Sequence, residues 1–441
     1  MRNLSAVLLL SVLAAACALR PPALPPVTQT GVQAGAGHEI RPPGERPDGA
    51  MPPGVALEDG ITEDEAVASA LWNNAQLAAD LAGLGVARAS LIEAGQFRNP
   101  TLQMLFPIGP KPFELTLAFP IEQFWQRPKR VKAAQAQWDQ VAASLVQNGL
   151  DTARAARRAH AALLQAQDRL AAAREASGLR TQIAAMAEAR FRAGDISQLE
   201  SRSAAIDSES SADLARRAEH DVSIAWDRLR VTMGLAPGAP LTASGSAVDR
   251  AVPAPVDQLR EQAWGARSDL RAAELAVAAA GARASWERSR LMALGVILSS
   301  KEVGTSGVRT GPGVSVDIPI FQSNQGAVSR ADAEVEQAAL QYLAIRQRID
   351  LEVSESRAAL VQALDSLAAW HDRIVPAAKD LAERAKRSYE AGDVSYLTVL
   401  EQARQSVDAV LRDIDLQAAA RTAAADLDRS VGARAARGQQ P

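Results

Sequence analysis

Residues that build catalytic and metal centres are scarce in this sequence. Its 441 residues include one cysteine, which excludes an internal disulfide. A Gly-rich stretch from Gly304 to Gly313 lacks the Gly-Lys-Ser/Thr ending of a phosphate-binding loop, and we expect it to form a loop between two strands. No histidine has a partner at i+3 or i+4 that would complete a zinc site; the four are His38, His160, His220 and His371. We therefore expect no enzymatic activity, no metal site and no cofactor.

Aromatic residues and net charge are also low. Aromatic side chains make up 4% of the chain and the formal net charge is -3, a balance that argues against a nucleic-acid partner. Hydrophobic residues nevertheless reach 47%, and alanine is abundant. This composition favours long, closely packed helices over a compact enzyme core.

Two nine-residue stretches, 191–199 and 389–397, share one pattern: an aromatic residue, any residue, Ala-Gly-Asp, a β-branched residue, Ser, any residue and Leu. Gly194 and Gly392 follow long helical patterns, and glycine readily adopts the left-handed conformation that ends a helix. The Asp-x-Ser segment that follows can accept the free N–H groups of a new helix. Each stretch therefore predicts a tight turn between two long antiparallel helices, and the repetition predicts an internal duplication.

The N-terminus has the pattern of a secretory signal. Arg2 precedes an apolar run from Leu4 to Leu13, and small residues lead to Cys17. We interpret residues 1–16 as a signal peptide and Cys17 as the lipidated first residue of the mature protein. The alternative is ordinary cleavage at an Ala-x-Ala site beside an incidental cysteine. Residues 17–60 are rich in Pro, Gly and Ala, which predicts a disordered, lipid-anchored tether.

The rest of the chain is predicted as two repeats over residues 61–236 and 256–431, joined by a linker at 237–255 and followed by a tail at 432–441. Each repeat is expected to contain a first helix, a β-hairpin and a long helical hairpin. The first helices are predicted over residues 62–97 and 256–288, and the first long helix from just after Pro128 to about Arg190. Pro376 and Gly178, at matching places, predict a break in each long helix.

Four short apolar runs predict strands, over residues 101–106, 114–121, 292–300 and 314–320. Leu115, Leu117 and Phe119 alternate with smaller or polar residues, so they share one face. Such faces favour a membrane β-barrel over the alternative, a small soluble hairpin cap on the helices. Because four strands cannot close a barrel and every backbone group in a membrane must be paired, we expect three chains to form a twelve-stranded barrel.

Together these features resemble the TolC family of outer-membrane efflux channels, in particular its lipid-anchored drug and heavy-metal export subgroup. The resemblance rests on the signal with its cysteine, the duplicated element order and the two Ala-Gly-Asp turns. It also rests on two signatures in the first helices, Asn74-Ala75-Gln76-Leu77 and Arg267-Ser268-Asp269-Leu270. It implies a mainly α-helical, TolC-like fold, in which a homotrimer combines a twelve-stranded β-barrel in outer-membrane lipid with a long periplasmic α-helical barrel.

The resemblance also implies partners and site residues. A periplasmic adaptor (membrane fusion) protein carrying an inner-membrane pump would dock on the turns, and the channel would carry small molecules or metal ions. The expected docking residues are Arg192, Gly194, Asp195, Tyr389, Gly392 and Asp393. Glu401 matches the position of one acidic residue of the family's constricting ring, while Thr398 stands at the other. The competing hypothesis is a lipid-anchored periplasmic coiled-coil adaptor or scaffold without a pore.

Overall fold

The computed structural model describes residues 31–33, 35–41, 49–53, 55, 60–108, 112–238, 242–290, 293–302 and 307–433. The predicted signal peptide at 1–16 and Cys17 lie outside these residues. The chain divides into two compact units. Of the described residues, the first unit contains those within 80–145 and 268–347, and the second contains those within 31–79, 146–267 and 348–433.

Helices dominate the first half of the chain. Its elements are α1 (Glu63–Asn73), α2 (Ala75–Gly95), β1 (Thr101–Leu105), β2 (Glu114–Pro120), α3 (Gln123–Ala193) and α4 (Gln198–Thr232). Thr62 and Glu65 form a capping box that begins α1. The prediction of one helix over residues 62–97 is wrong, because Asn74 has an extended backbone with ψ 120°. Its side-chain oxygen accepts the Leu77 N–H at 3.0 Å, so Asn74 caps α2.

The second half repeats this order with one addition. Its elements are α5 (Val256–Ala266), α6 (Ser268–Arg288), β3 (Leu294–Glu302), β4 (Val308–Val316), α7 (Gln325–Ala369), a π-helical turn (Trp370–Ile374), α8 (Val375–Ala391) and α9 (Tyr396–Val431). The single helix predicted over residues 256–288 is also wrong. Arg267 interrupts it with ψ 116°, at the signature motif that matches Asn74.

The long helices differ from the prediction at two of three places. Helix α3 begins at Gln123 and includes Pro128, so the predicted start after this proline is wrong. It also continues through Gly178, where a break was expected. The break near Pro376 is confirmed, because the π-helical turn lies directly before α8 and the proline occupies the first turn of α8.

The four strands form one antiparallel sheet in the order β1-β2-β3-β4. The strand predicted over 314–320 is displaced, since β4 ends at Val316 and begins at Val308. Gly311-Pro312-Gly313 therefore lies inside β4, and the expected loop there is wrong for these residues. A proline is tolerated because β4 is an edge strand of this sheet. Met292, where the third strand was expected to begin, lies outside the described residues.

The register of the sheet separates an apolar face from a polar one. Leu117 lies opposite both Leu102 and Leu298, and Val296 lies opposite Val314, so these side chains share one face. The other face carries Gln103, Thr116 and Ser299 in one row, together with the ion pair of Lys301 and Glu114 at 2.5 Å. The apolar row is open to solvent in the single chain, with Leu298 48% and Val314 67% exposed.

Part of the predicted tether is ordered. Val32, Ala36 and Ile40 are buried, and the Arg41 guanidinium donates to the Asn73 side chain at 3.3 Å. For these residues the prediction of a disordered segment is wrong, because the apolar side chains among them are buried within the second unit. Among the described residues, α2 alone has the length and apolar composition of a helix that could cross a membrane, and one such helix is weak evidence.

Candidate functional site: the two helix turns

The turn between α3 and α4 is closed by backbone hydrogen bonds. Gly194 has φ 82°, and the Asp195 N–H donates to the Arg190 carbonyl at 2.9 Å. Ser197 then caps α4 in a capping box with Glu200. The two helices are also joined through Glu188, which accepts from the Ser201 hydroxyl at 2.8 Å and from Arg192 at 3.1 Å. These two bonds, the serine bond first, lower the pKa of the Glu188 carboxyl.

The turn between α8 and α9 has the same backbone geometry. Gly392 has φ 87°, and the Asp393 N–H donates to the Ser388 carbonyl at 2.9 Å. Ser395 caps α9 by accepting the Thr398 N–H at 3.4 Å. Thr398 stands where the first turn has Glu200, so the second turn lacks the reciprocal carboxylate bond of a capping box.

The second unit brings the two turns together around a shared apolar cluster. It is formed by Ile183, Ala187, Ala204, Ala385, Tyr389, Tyr396 and Val399 from all four helices. Arg190 in α3 lies 4.9 Å from the centroid of the Tyr389 ring and donates to the Tyr389 carbonyl at 3.3 Å. A cation over an aromatic face and a backbone hydrogen bond therefore tie the first turn to the second.

A buried phenol adds a directional link between the hairpins. The Tyr396 hydroxyl in α9 donates to the Asp207 carboxylate in α4 at 2.7 Å. Burial, followed by this hydrogen bond to a carboxylate, raises the pKa of Tyr396. The neighbouring Tyr389 ring lies 6.5 Å from the Tyr396 ring, and its own hydroxyl is buried with no hydrogen-bond partner among the described residues. The cluster thus fixes the helix ends while each turn projects beyond it.

A family model described as outer membrane efflux protein matches residues 111–235 and 259–433, one match for each turn. The chain belongs to the outer membrane efflux protein family. The chain is also similar to the cobalt-zinc-cadmium resistance protein CzcC of Cupriavidus metallidurans. The two are 25% identical over 378 residues, which is 84% of this chain and 90% of CzcC.

Solved structures of TolC-family channels have the same fold. CusC, whose structures show conformational changes that accompany folding and transmembrane channel formation, superposes with a TM-score of 0.72 at 20% identity. The match covers 89% of this chain and 99% of CusC. A membrane protein from Pseudomonas aeruginosa gives a TM-score of 0.71 at 21% identity, over 89% of this chain and all of that chain, 100%. At these identities the likeness establishes the fold.

Within the family fold, the predicted docking residues occupy different environments. Arg192, Gly194, Asp195, Gly392 and Asp393 are exposed on the turns. Tyr389 is 1% exposed, so its side chain supports the turn from within and does not form its surface. The caps come from Ser197 and Ser395, and neither aspartate side chain has a hydrogen bond or ion pair among the described residues. Docking by any of these residues stays a prediction.

Two further residues were predicted to be functional: Glu401 at the pore constriction and Cys17 as the lipidation site. Glu401 lies on α9, and Cys17 lies outside the described residues. Glu401 is exposed on α9, where its carboxylate accepts from Gln405 at 2.8 Å, one helical turn away. A single chain contains no ring, so the constriction stays a prediction. Lipidation of Cys17 also stays a prediction. Within the described ranges, no group of three or more His, Cys, Asp or Glu side chains could hold a metal ion.

Sequence reasoning missed the two leucines that end the shared pattern. Leu199 and Leu397 are 76% and 70% exposed, each in the first turn of the helix that follows its glycine. Their place in both copies of the pattern was visible, but periodicity predicts burial for leucine on an amphipathic helix. Only the packed structure shows that both point away from the shared cluster.

Proposed function

We propose that the chain is the outer-membrane channel of a tripartite efflux system. In this proposal three copies form a twelve-stranded β-barrel in the outer membrane, and their helices form a periplasmic conduit. A periplasmic adaptor protein docks on the turns and connects the conduit to an inner-membrane pump. The two turns per chain would give the trimer six docking points.

The observation that carries the proposal is the open sheet with its two unlike faces. Strands β1 and β4 have no further strand partner among the described residues, and the face containing Leu298 and Val314 is exposed. Unpaired strand edges and an uncovered apolar face are unstable in water. Closing the sheet with two more copies pairs every edge, places the apolar face in lipid and turns the polar face toward a water-filled interior.

The proposal predicts a detergent-soluble trimer that resists mild denaturation. The protein part of the extracted particle should have three times the mass of one mature chain by light scattering. It should also migrate anomalously on a gel unless it is boiled. A monomer whose migration does not change on boiling would contradict the proposal and favour the pore-free adaptor or scaffold. No feature of the described residues specifically favours that second hypothesis.

The cargo is proposed to be small molecules or metal ions chosen by the pump. Similarity to CzcC, a cobalt-zinc-cadmium resistance protein, favours divalent metal cations. Threefold symmetry would turn Glu401 into a ring of three carboxylates, which attracts cations and opposes anions. Glu401→Gln should therefore lower the cation selectivity of single channels in a planar bilayer, while Glu390→Gln, an exposed carboxylate before the turn, should not. Unchanged selectivity in Glu401→Gln would remove this residue from the constriction.

A further inference from the structure

Where the strands meet the helices, the first repeat has basic residues in excess of acidic ones. Arg98 lies just before β1, and four cations follow in the first turns of α3: Arg127, Lys129, Arg130 and Lys132. Burial, followed by the charges of Arg98 and Arg127, lowers the pKa of Arg130, so both of these guanidinium groups lie near it. Glu93 acts on Arg130 in the opposite direction.

Two of these arginines have a structural role. The Arg127 side chain donates to the Gly95 carbonyl at 2.6 Å and stacks on Phe97, with 4.9 Å between guanidinium carbon and ring centroid. Arg130 donates to the Ala94 carbonyl at 2.8 Å and also to the Gln96 carbonyl. Both therefore cap the carboxyl end of α2 and hold it against α3.

The other three cations have no such role. The side chains of Arg98, Lys129 and Lys132 are exposed, and none forms a hydrogen bond or ion pair with another described residue. Among the nearby carboxylates, Glu114 pairs with Lys301, Glu122 is only 5% exposed, and the charge of Glu93 acts on Arg130. These three side chains, here named the free cations, can therefore meet an external anion without breaking an existing contact.

The second repeat has a different arrangement at the same junction. Arg288 pairs with Asp332 at 2.6 Å, Arg290 with Glu287 at 2.9 Å, and Arg283 with Glu334 at 3.6 Å. These three arginines are each paired with a carboxylate. Arg330, in the second turn of α7, is exposed and forms no ion pair with another described residue, so the second repeat leaves one cation unpaired at this junction and the first repeat leaves three.

Aromatic side chains place the free cations next to a membrane surface. Phe124 and Trp125 are 62% and 44% exposed at the start of α3, directly after β2. Exposed aromatic rings at the ends of membrane strands mark the boundary of the hydrocarbon. Trp125, Lys129 and Lys132 are spaced i, i+4 and i+7, so they share one helix face. Lys129 is about 6 Å further along the axis than Trp125, comparable to a headgroup layer of about 5 to 7 Å.

We propose that Arg98, Lys129 and Lys132 bind the phosphate of an anionic phospholipid in the leaflet that faces the helices. The inference rests on the proposed barrel, which sets the depth of this junction in the membrane. Guanidinium and ammonium groups bind phosphate oxygens through charge-assisted hydrogen bonds, and cations beside a membrane surface attract anionic lipids. The tryptophan above them would contact the acyl chain boundary.

The test is lipid binding by the full-length protein in detergent, measured by native mass spectrometry. Phosphatidylglycerol should bind in preference to phosphatidylcholine. The triple variant R98Q/K129Q/K132Q should bind phosphatidylglycerol at least about tenfold more weakly, because three attractive charges are lost. The matched variant R283Q/R288Q/R290Q should change this affinity less than about twofold, because its cations are already paired.

Three outcomes would overturn the lipid site: equal binding of the two lipids, equal weakening by the two triple variants, or loss of the trimer in R98Q/K129Q/K132Q. The last would place the free cations in a contact between protomers. If the wild-type protein is a trimer but binds both lipids equally, the lipid site is wrong and the proposed channel is not affected. If the protein is a monomer that binds phosphatidylglycerol through these residues, the proposed channel is wrong and the lipid site is not affected.

Discussion

Gly194 and Gly392 show how single residues set the geometry of the turns. Both adopt a left-handed backbone that side chains disfavour, at φ 82° and 87°. A Cβ at Gly194 would meet nothing within 4 Å, so conformation alone requires glycine there. These two glycines were predictable from sequence, because a helix stop is a local property. The exposure of Leu199 and Leu397 was not, because it depends on which helix face the shared cluster takes.

The exposed leucines give the residue-scale prediction. Replacing both Leu199 and Leu397 with glutamate should abolish export, because the proposed docking surface would then carry two charges where contact with an adaptor must exclude water. Resistance of cells to exported metal or drug would report the loss, and the boiled and unboiled gel would report the trimer. Leu214→Glu, on an exposed leucine further along α4, is the control. Normal export by the double variant would contradict docking at these positions.

At the scale of helices and strands, the sequence predicted that the elements exist but not where each one begins and ends. Alternation identified the hairpin region of each half of the chain, and alanine-rich periodicity identified the long helices. The breaks at Asn74 and Arg267 were missed because neither residue is a glycine or proline. Arg267 is buried and pairs with Glu352 at 2.7 Å, and it also donates to the Ser430 carbonyl at 3.1 Å. Its extended backbone is thus maintained by α7 and α9, which are distant in sequence.

His160 supplies the prediction for helix α3. Its Nε2 donates to the Ile61 carbonyl at 2.7 Å, and burial lowers the pKa of the ring. A lowered pKa means that the folded state favours the neutral ring. This contribution to stability is complete above about pH 6.5, the unfolded value. It is lost as pH falls below that value toward the folded pKa, by at most about 1.4 kcal/mol per pH unit.

Thermal unfolding in detergent between pH 7.5 and 5 would measure this slope. His160→Gln should flatten it, because glutamine can donate to the same carbonyl without titrating. His220→Gln, at an exposed histidine, is the control and should give the same slope as the wild-type chain. If His160→Gln retained the full slope, another group would be responsible for the acid sensitivity.

The whole molecule depends on the sheet that one chain leaves open. Two matched substitutions test its faces, because Val314 and Ser315 are neighbours in β4 and point to opposite sides. In the proposed barrel, Val314→Arg would place a cation on the lipid face two residues from the end of β4. The cost in each chain there lies between the about 2 to 4 kcal/mol of the bilayer centre and the about 0 to 1 kcal/mol of the interface. Ser315→Arg would place the same side chain in the water-filled interior.

Trimer yield after detergent extraction, read from unboiled gels, distinguishes the two. Val314→Arg should lower the yield or the temperature at which the trimer dissociates, and Ser315→Arg should behave like the wild-type protein. Equal behaviour of the two variants would show that neither face of β4 meets lipid. The opposite ranking would mean that the assignment of the faces is reversed.

The sequence by itself determined the helical class, the existence of strand pairs and the places where the two hairpins turn. Each of these features depends on periodicity or on a local backbone preference, and both are set by residues that are close together in the sequence. Tertiary structure decided the helix breaks at Asn74 and Arg267, the burial of Tyr389 and Val32, and which cations stay unpaired. These depend on side chains that are distant in the chain and meet only after packing, so no local pattern contains them.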